Sequence, residues 1–197
     1  MSNNAQQVTT GKPAIGGAVF RAPTTATLPT NASAALTGFA DMGYISDDGM
    51  TRTLKRETKE IKAWGGDTVL APQTSKEETV KLKFIEALRV DVLKAIHGDG
   101  KVSGSLQSGI TIIGDSDELE EKAWVVDRIT NGGYLDRLVI PRGKIIDIAD
   151  IDYKDDEPVG FEVTIRALAD TNGKTSYEYI SDASGESGQS GSSGTSH

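Results

Sequence analysis

The chain has 197 residues, with 21 Lys+Arg against 29 Asp+Glu, two His and no Cys, for a formal net charge of -8. Without sulfur there is no disulfide, thiol nucleophile or Cys-ligated zinc, and the one internal imidazole, His97, cannot build a multi-His metal centre. The acidity argues against an adhesive nucleic-acid binder, whose phosphate contacts need a basic face, and no apolar run approaches the roughly 18–20 residues that span a bilayer.

Hydrophobic residues make up 37% of the chain and 22 Gly are added to them, enough for one full core. The start, Met1 to Lys12, is rich in Asn, Gln, Thr and Ser, with neither a basic opening nor an apolar stretch, so synthesis in a cytoplasm is expected. From Asp182 onward the sequence is almost all Ser and Gly, a native tail or an expression remnant that cannot offset its ordering entropy. The expected organisation is a flexible segment over residues 1–14, a folded domain over 15–182 and a disordered tail over 183–197.

Strand signals dominate between the ends. Ala18 to Ala22 is a short apolar run closed by Pro23, and Pro29 with Ala32, Ala34, Ala35 and Leu36 predicts one helical turn capped by Asn31. Asp47-Asp48-Gly49, between Tyr44-Ile45-Ser46 and Met50-Thr51, has the chemistry of a type I′ hairpin turn. Trp64-Gly65-Gly66-Asp67 and Thr130-Asn131-Gly132-Gly133 repeat the device, which predicts an antiparallel meander. Val80, Leu82 and Phe84 alternate with Lys81 and Lys83, the period of a half-buried strand. Leu88, Val92, Leu93 and Ile96 then switch to helical spacing and Gly98 follows as a C-cap, giving one helix over about Arg89 to His97. Strands are predicted at Ile110 to Ile113, Lys122 to Ile129, Tyr134 to Ile140, Lys144 to Ala149, Phe161 to Ala167 and around Tyr177 and Tyr179. The fold class is mainly β: a β-sandwich or barrel of about nine short antiparallel strands with one flanking α-helix.

Charge is unevenly laid out. Thr51 to His97 holds ten Lys/Arg against seven Asp/Glu, whereas Asp115 to Glu162 holds six against fourteen. If such regions lie at opposite ends, copies can attract head to tail, a contact that repeats without limit. The carboxylate clusters do not read as calcium loops: Asp115-Ser-Asp117-Glu-Leu119 has Leu at the fifth place, and Asp150-Ile-Asp152-Tyr-Lys154 has Lys there. Gly98-Asp-Gly100-Lys-Val-Ser-Gly104 follows a helix instead of opening one, so it reads as a loop and not a phosphate cradle. With no nucleophile and base pair in view, neither an enzyme nor a cofactor or metal site is expected. His97 reads as a helix-end residue, Trp124 as core, and Trp64 as an anchor against a neighbour. Thr51 to Lys62, TRTLKRETKEIK, has β-branched residues and alternating charge but too few large apolar groups for a core, so it reads as a projecting arm.

The stretch GYISDDGMTRTLKRETKEIKAWGGDTVLAPQTS, Gly43 to Ser75, with the following VKLKFIEALRVDVLKAIHG, resembles the major tail tube proteins of long-tailed bacteriophages, particularly those of actinobacteria. LVIPRGKIIDIADIDYKDDEPVGFEVTIRALAD and SYEYI, Leu138 to Ile180, are similar to the closing strands of that family. The resemblance implies a virion protein of the phage tail: a β-sandwich with a flanking helix, forming hexameric rings whose strands join into a barrel. The rings stack into a hollow tube that conducts DNA during infection, without specific binding. It further implies partners in the tape measure and terminator proteins, besides other copies of the chain, and no membrane. On this reading the candidate contacts are Asp47, Asp48, Arg52, Lys55, Arg56, Glu57, Lys59, Glu60, Lys62, Trp64, Asp150, Asp152, Asp155 and Asp156. Two rivals remain: a tail terminator or connector ring, which closes without polymerising, and an adhesin-like carbohydrate-binding β-sandwich. For the latter the 6% of aromatic residues is a thin supply.

Overall fold

The computed structural model describes residues 8–14 and 17–182; the Ser/Gly tail and the first half of the expected N-terminal segment lie outside the described residues. Strands come in the order β1 (Gly11–Pro13), β2 (Val19–Pro23), β3 (Ala40–Asp41), β4 (Ile45–Thr58), β5 (Ile61–Lys62), β6 (Thr68–Leu70) and β7 (Gln73–Phe84). The helix α1 (Val90–His97) and a single 3-10 turn follow, then β8 (Val102–Ser105), β9 (Gly109–Ile112), β10 (Lys122–Thr130), β11 (Tyr134–Ile148), β12 (Phe161–Leu168) and β13 (Tyr177–Asp182). Every pairing is antiparallel. The main sheet runs β3-β2-β10-β11-β12-β7-β4, with β1 added to β10 and β13 to β11.

This sheet folds into a sandwich by an exchange of partners along β11. Its first half lies between β10 and β13, and from Arg142 onward it pairs with β12. The exchange falls beside Pro141, which has no amide hydrogen to give to a ladder. Phe84 on β7 and Trp124 on β10 belong to strands three places apart, about 14 Å in a flat sheet, yet their ring centroids are 6.4 Å apart. One layer is therefore β2, β10, β13 and the start of β11; the other is the end of β11 with β12, β7 and β4.

Between the layers sit Val19, Val80, Leu82, Phe84, Trp124, Val126, Leu138, Ile140, Val163 and Ile165, joined by Val92, Leu93 and Ile96 of the helix. The period-two pattern of β7 and the helical period of α1 thus both bury the residues they should. Leu88 is the exception: helical spacing assigns it to the packed face, but it precedes the helix, whose N-cap is Arg89, and is exposed. Gly143 is needed where it stands, because a Cβ there would lie 2.6 Å from Trp124 Cδ1 and 2.9 Å from Ile165 Cγ2. The outer face of β10 is covered as well. Arg137 pairs with Asp127 and donates to the carbonyls of Asn31 and Ala34, pinning the segment between β2 and β3 over Ala123, Val125 and Val139.

Four expectations are corrected. Asp47-Asp48-Gly49 is not a hairpin turn but a bulge inside β4, between the pairs Ile45–Phe84 and Met50–Leu82, with Gly49 at φ 72°. The positive φ that a turn glycine needs also serves a bulge. Tyr134 to Ile140 and Lys144 to Ala149 are one strand, because β11 carries on past Pro141. Residues 29–36 form no helix; Asn31 Oδ1 still accepts from the amides of Ser33 and Ala34, so the cap exists on an irregular turn. Gly11–Pro13, assigned to the flexible segment, is a short strand on Arg128–Thr130. The Trp64-Gly65-Gly66-Asp67 and Asn131-Gly132-Gly133 turns do form, at the tips of β5–β6 and β10–β11.

Candidate functional site

The hairpin of β4 and β7 organises the exposed chemistry. Pairing of β7 with β12 stops at Thr79–Arg166, but β7 and β4 pair on to Gln73–Thr58. The six residues Gln73 to Glu78 therefore run about 20 Å beyond the last β12 pair, with Glu78 and Lys76 still bonded to the β12–β13 connection at Thr175, and β5 and β6 extend the arm further. Residues 51–62 form one limb of this arm, exposed throughout except at Arg52. Their predicted want of core residues is met by an element with no core of its own.

Side chains along the arm divide into anchored and free. Arg52, at the root, donates to Glu78 at 2.8 Å, to Glu178 at 2.7 Å and to Ser176 at 3.1 Å. Glu178 also accepts from Arg128, which pairs with Asp136. This chain of ions joins β4 and β7 of one layer to β10, β11 and β13 of the other and closes the sandwich below the arm. Burial pushes the Glu78 carboxyl up, but hydrogen bonds from Thr175, Ser176 and Arg52 outweigh it and hold the group below its ordinary value. Glu178 is likewise pushed up by burial and drawn lower by Arg52 and then Arg128. Sequence reading missed this network, because its members come from five strands; two Ser/Thr ahead of β13 were the faint signal.

Beyond the root, Glu57 accepts from Ser75, Glu60 accepts from Thr68, and Lys62 lies 3.8 Å from Glu60. Lys55, Arg56 and Lys59 have no ion pair among the described residues. Four cations against two anions in residues 55–62 leave the limb basic. At the tip Trp64 is fully exposed, with Ile61, Val69 and Leu70 exposed beside it.

The other acidic candidates lie at the opposite end of the hairpin. Asp47 and Asp48 sit in the β4 bulge, where Ser46 Oγ donates to them. Asp150, Asp152, Asp155 and Asp156 lie in the loop from Ile148 to Phe161, and Phe161 pairs with Phe84, the far end of β7. Lys154 answers only Asp152 and Glu157, so among the described residues Asp150, Asp155 and Asp156 have no ion pair. The other acidic segment behaves differently: Asp115 and Asp117 hold Lys101, and the first of these bonds contributes most to raising that ammonium above its ordinary value. Glu118 takes Lys144, Glu120 takes Lys122 and Glu121 takes Arg142. Of two acidic runs with similar charge in the sequence, only the β11–β12 loop keeps carboxylates without an ion pair among the described residues.

Sequence reading also missed an open groove of about 1060 Å³ at this acidic end, lined by Leu88, Leu106, Ile110, Ile112, Ile151 and Tyr153 among others. It singled out none of these as surface residues, since apolar strand and helix positions read as core. Trp124 is core as expected, and His97 ends the helix, edge-on to Phe161 at 6.5 Å. Among the described residues no group of three metal-ligating side chains gathers, and no helix is long and apolar enough to cross a membrane.

Comparison with known proteins agrees with this architecture. No individual curated protein matches the chain. A family described as phage tail tube protein matches it over residues 1–190. An antiparallel sandwich with one helix, a long exposed arm and matching across nearly the whole length lead to one assignment: the chain belongs to the phage tail tube protein family and is a structural protein of the virion tail.

Proposed function

We propose that copies of this chain close into rings, hexameric as the sequence resemblance implies, and that the rings stack into the hollow tube through which DNA leaves the capsid. The observation that carries the reading is the β4–β7 arm, which extends past the body with the outer edge of β4 unpaired and with Lys55, Arg56 and Lys59 free of ion pairs among the described residues. An isolated two-stranded ribbon is marginal in water, so burial against another copy is its natural stabilisation. Open strand edges on β4 and β13 offer directional pairing for ring closure. The protein acts by assembly and not by catalysis. A net negative lumen would repel the phosphate backbone and let DNA slide. Tape measure and terminator proteins would meet the tube along its bore and at its end.

Negative-stain microscopy and light scattering of the concentrated protein over a salt series test the reading. Hollow tubes of uniform width are expected. Closed single rings would favour a terminator, and a persistent monomer with glycan affinity an adhesin.

A further inference from the structure

Large apolar side chains are exposed in two main groups. Of the fifteen in the described residues, Leu54, Ile61, Trp64, Val69 and Leu70 lie on the arm, and Leu88, Leu106, Ile112 and Tyr153 line the groove at the opposite end. About 36 Å of β7 separates the pair Thr58–Gln73 from the pair Ile45–Phe84. Contiguous apolar surface of this kind marks an interaction site.

Resting on the stacking just proposed, we infer that the arm tip of one copy, led by Trp64, seats in the groove between α1, the β8–β9 hairpin and the β11–β12 loop of another copy. Three observations select this occupant. The groove is open, about 1060 Å³ and lined mostly by apolar side chains, so it has room for several side chains of a protein element. Charge is complementary: the limb behind the tip offers Lys55, Arg56 and Lys59 with no ion pair among the described residues, and the groove's loop offers Asp150, Asp155 and Asp156 in the same condition. Finally, tip and groove occupy opposite ends of one hairpin, so the contact is heterologous and each copy can give a tip and receive one. Aromatic anchors in desolvated pockets carry most of the energy in such contacts, and the rim charges set orientation and rate.

The chain's lack of cysteine makes the test direct. Trp64→Cys is combined in the full chain with Leu88→Cys, Leu106→Cys or Tyr153→Cys, all at exposed positions, and oxidised after assembly. A disulfide forms only when two Cα atoms come within about 7 Å. The expected result is a ladder of covalent multimers from at least one pair, while each single variant stops at a dimer and Trp64→Cys with Tyr134→Cys, remote from the groove, gives no ladder. Independently, Leu106→Asp should raise the concentration needed for assembly at least ~10-fold without loss of the folded monomer. Tubes that form while all three pairs fail to ladder would overturn the tip-in-groove contact and leave the tube reading standing. A wild-type chain that builds no tubes would overturn both.

Discussion

The centre of the sandwich and the arm are built from the same kind of element with opposite fates. β10 is buried on both faces over Lys122–Val126, with the core on one side and the segment pinned by Arg137 on the other. Residues 53–58 of β4 and 73–76 of β7 are exposed on both faces and held by each other, by the bond of Lys76 to Thr175 and by the ions at their root. Strand propensity and hairpin chemistry do not separate them; burial does. A strand with no layer to cover it contributes little to the stability of its own chain, so its composition is free to serve a neighbour.

The largest expected effect separates assembly from folding. Replacing residues 55–77 by Asn-Gly would join the cross-strand partners Leu54 and Glu78 through a two-residue turn and keep the Arg52–Glu78 root. Tube formation should be lost outright while the melting temperature stays within a few degrees, as microscopy and a thermal scan would reveal. Deleting Thr51 to Lys62 alone would be a poorer probe, since it strips β7 of its partner and uncovers Val80.

The two tryptophans sharpen the contrast within one residue type. Trp124→Ala should cost roughly 3–5 kcal/mol in denaturant unfolding, because a ring packed on Phe84 and Gly143 leaves a cavity. Trp64→Ala should stay within about 0.5 kcal/mol in the monomer.

Glu78 tests how the arm is fastened. Glu78→Gln should destabilise by about 1.5–3 kcal/mol at neutral pH, because a buried charge-assisted network loses its centre. Since Glu78 and Glu178 lie below their ordinary value of 4.5 in the folded chain, the unfolded chain takes up protons first as pH falls. Their stabilisation is complete above about pH 5 to 6 and is lost as pH drops below 4.5 through the folded values. Melting temperature should therefore fall on acidification, and less steeply for Glu78→Gln. Gly143→Ala should cost about 1–3 kcal/mol by forcing Trp124 and Ile165 apart, measurable in the same unfolding assay.

Much of this molecule was legible in its sequence. Alternation at Val80, Leu82 and Phe84, helical spacing at Val92, Leu93 and Ile96, and paired glycines at two tips are local signals that act over a few residues, and each appeared where expected. The ordered series of motifs also carried the family. Composition alone marked residues 51–62 as unable to form a core. Only the folded chain decided that Asp47-Asp48-Gly49 bulges instead of turning, since both uses ask the same backbone angle of glycine and the difference lies in the partner strand. It alone divided the acidic runs into one neutralised by Lys101, Lys122, Arg142 and Lys144 and one left largely unpaired among the described residues. It also left Leu88, Leu106 and Ile112 on the surface beside Tyr153. Local preference needs only neighbours along the chain; which charge is answered and which apolar face is covered depend on residues distant in sequence, which meet only when the sheet folds on itself.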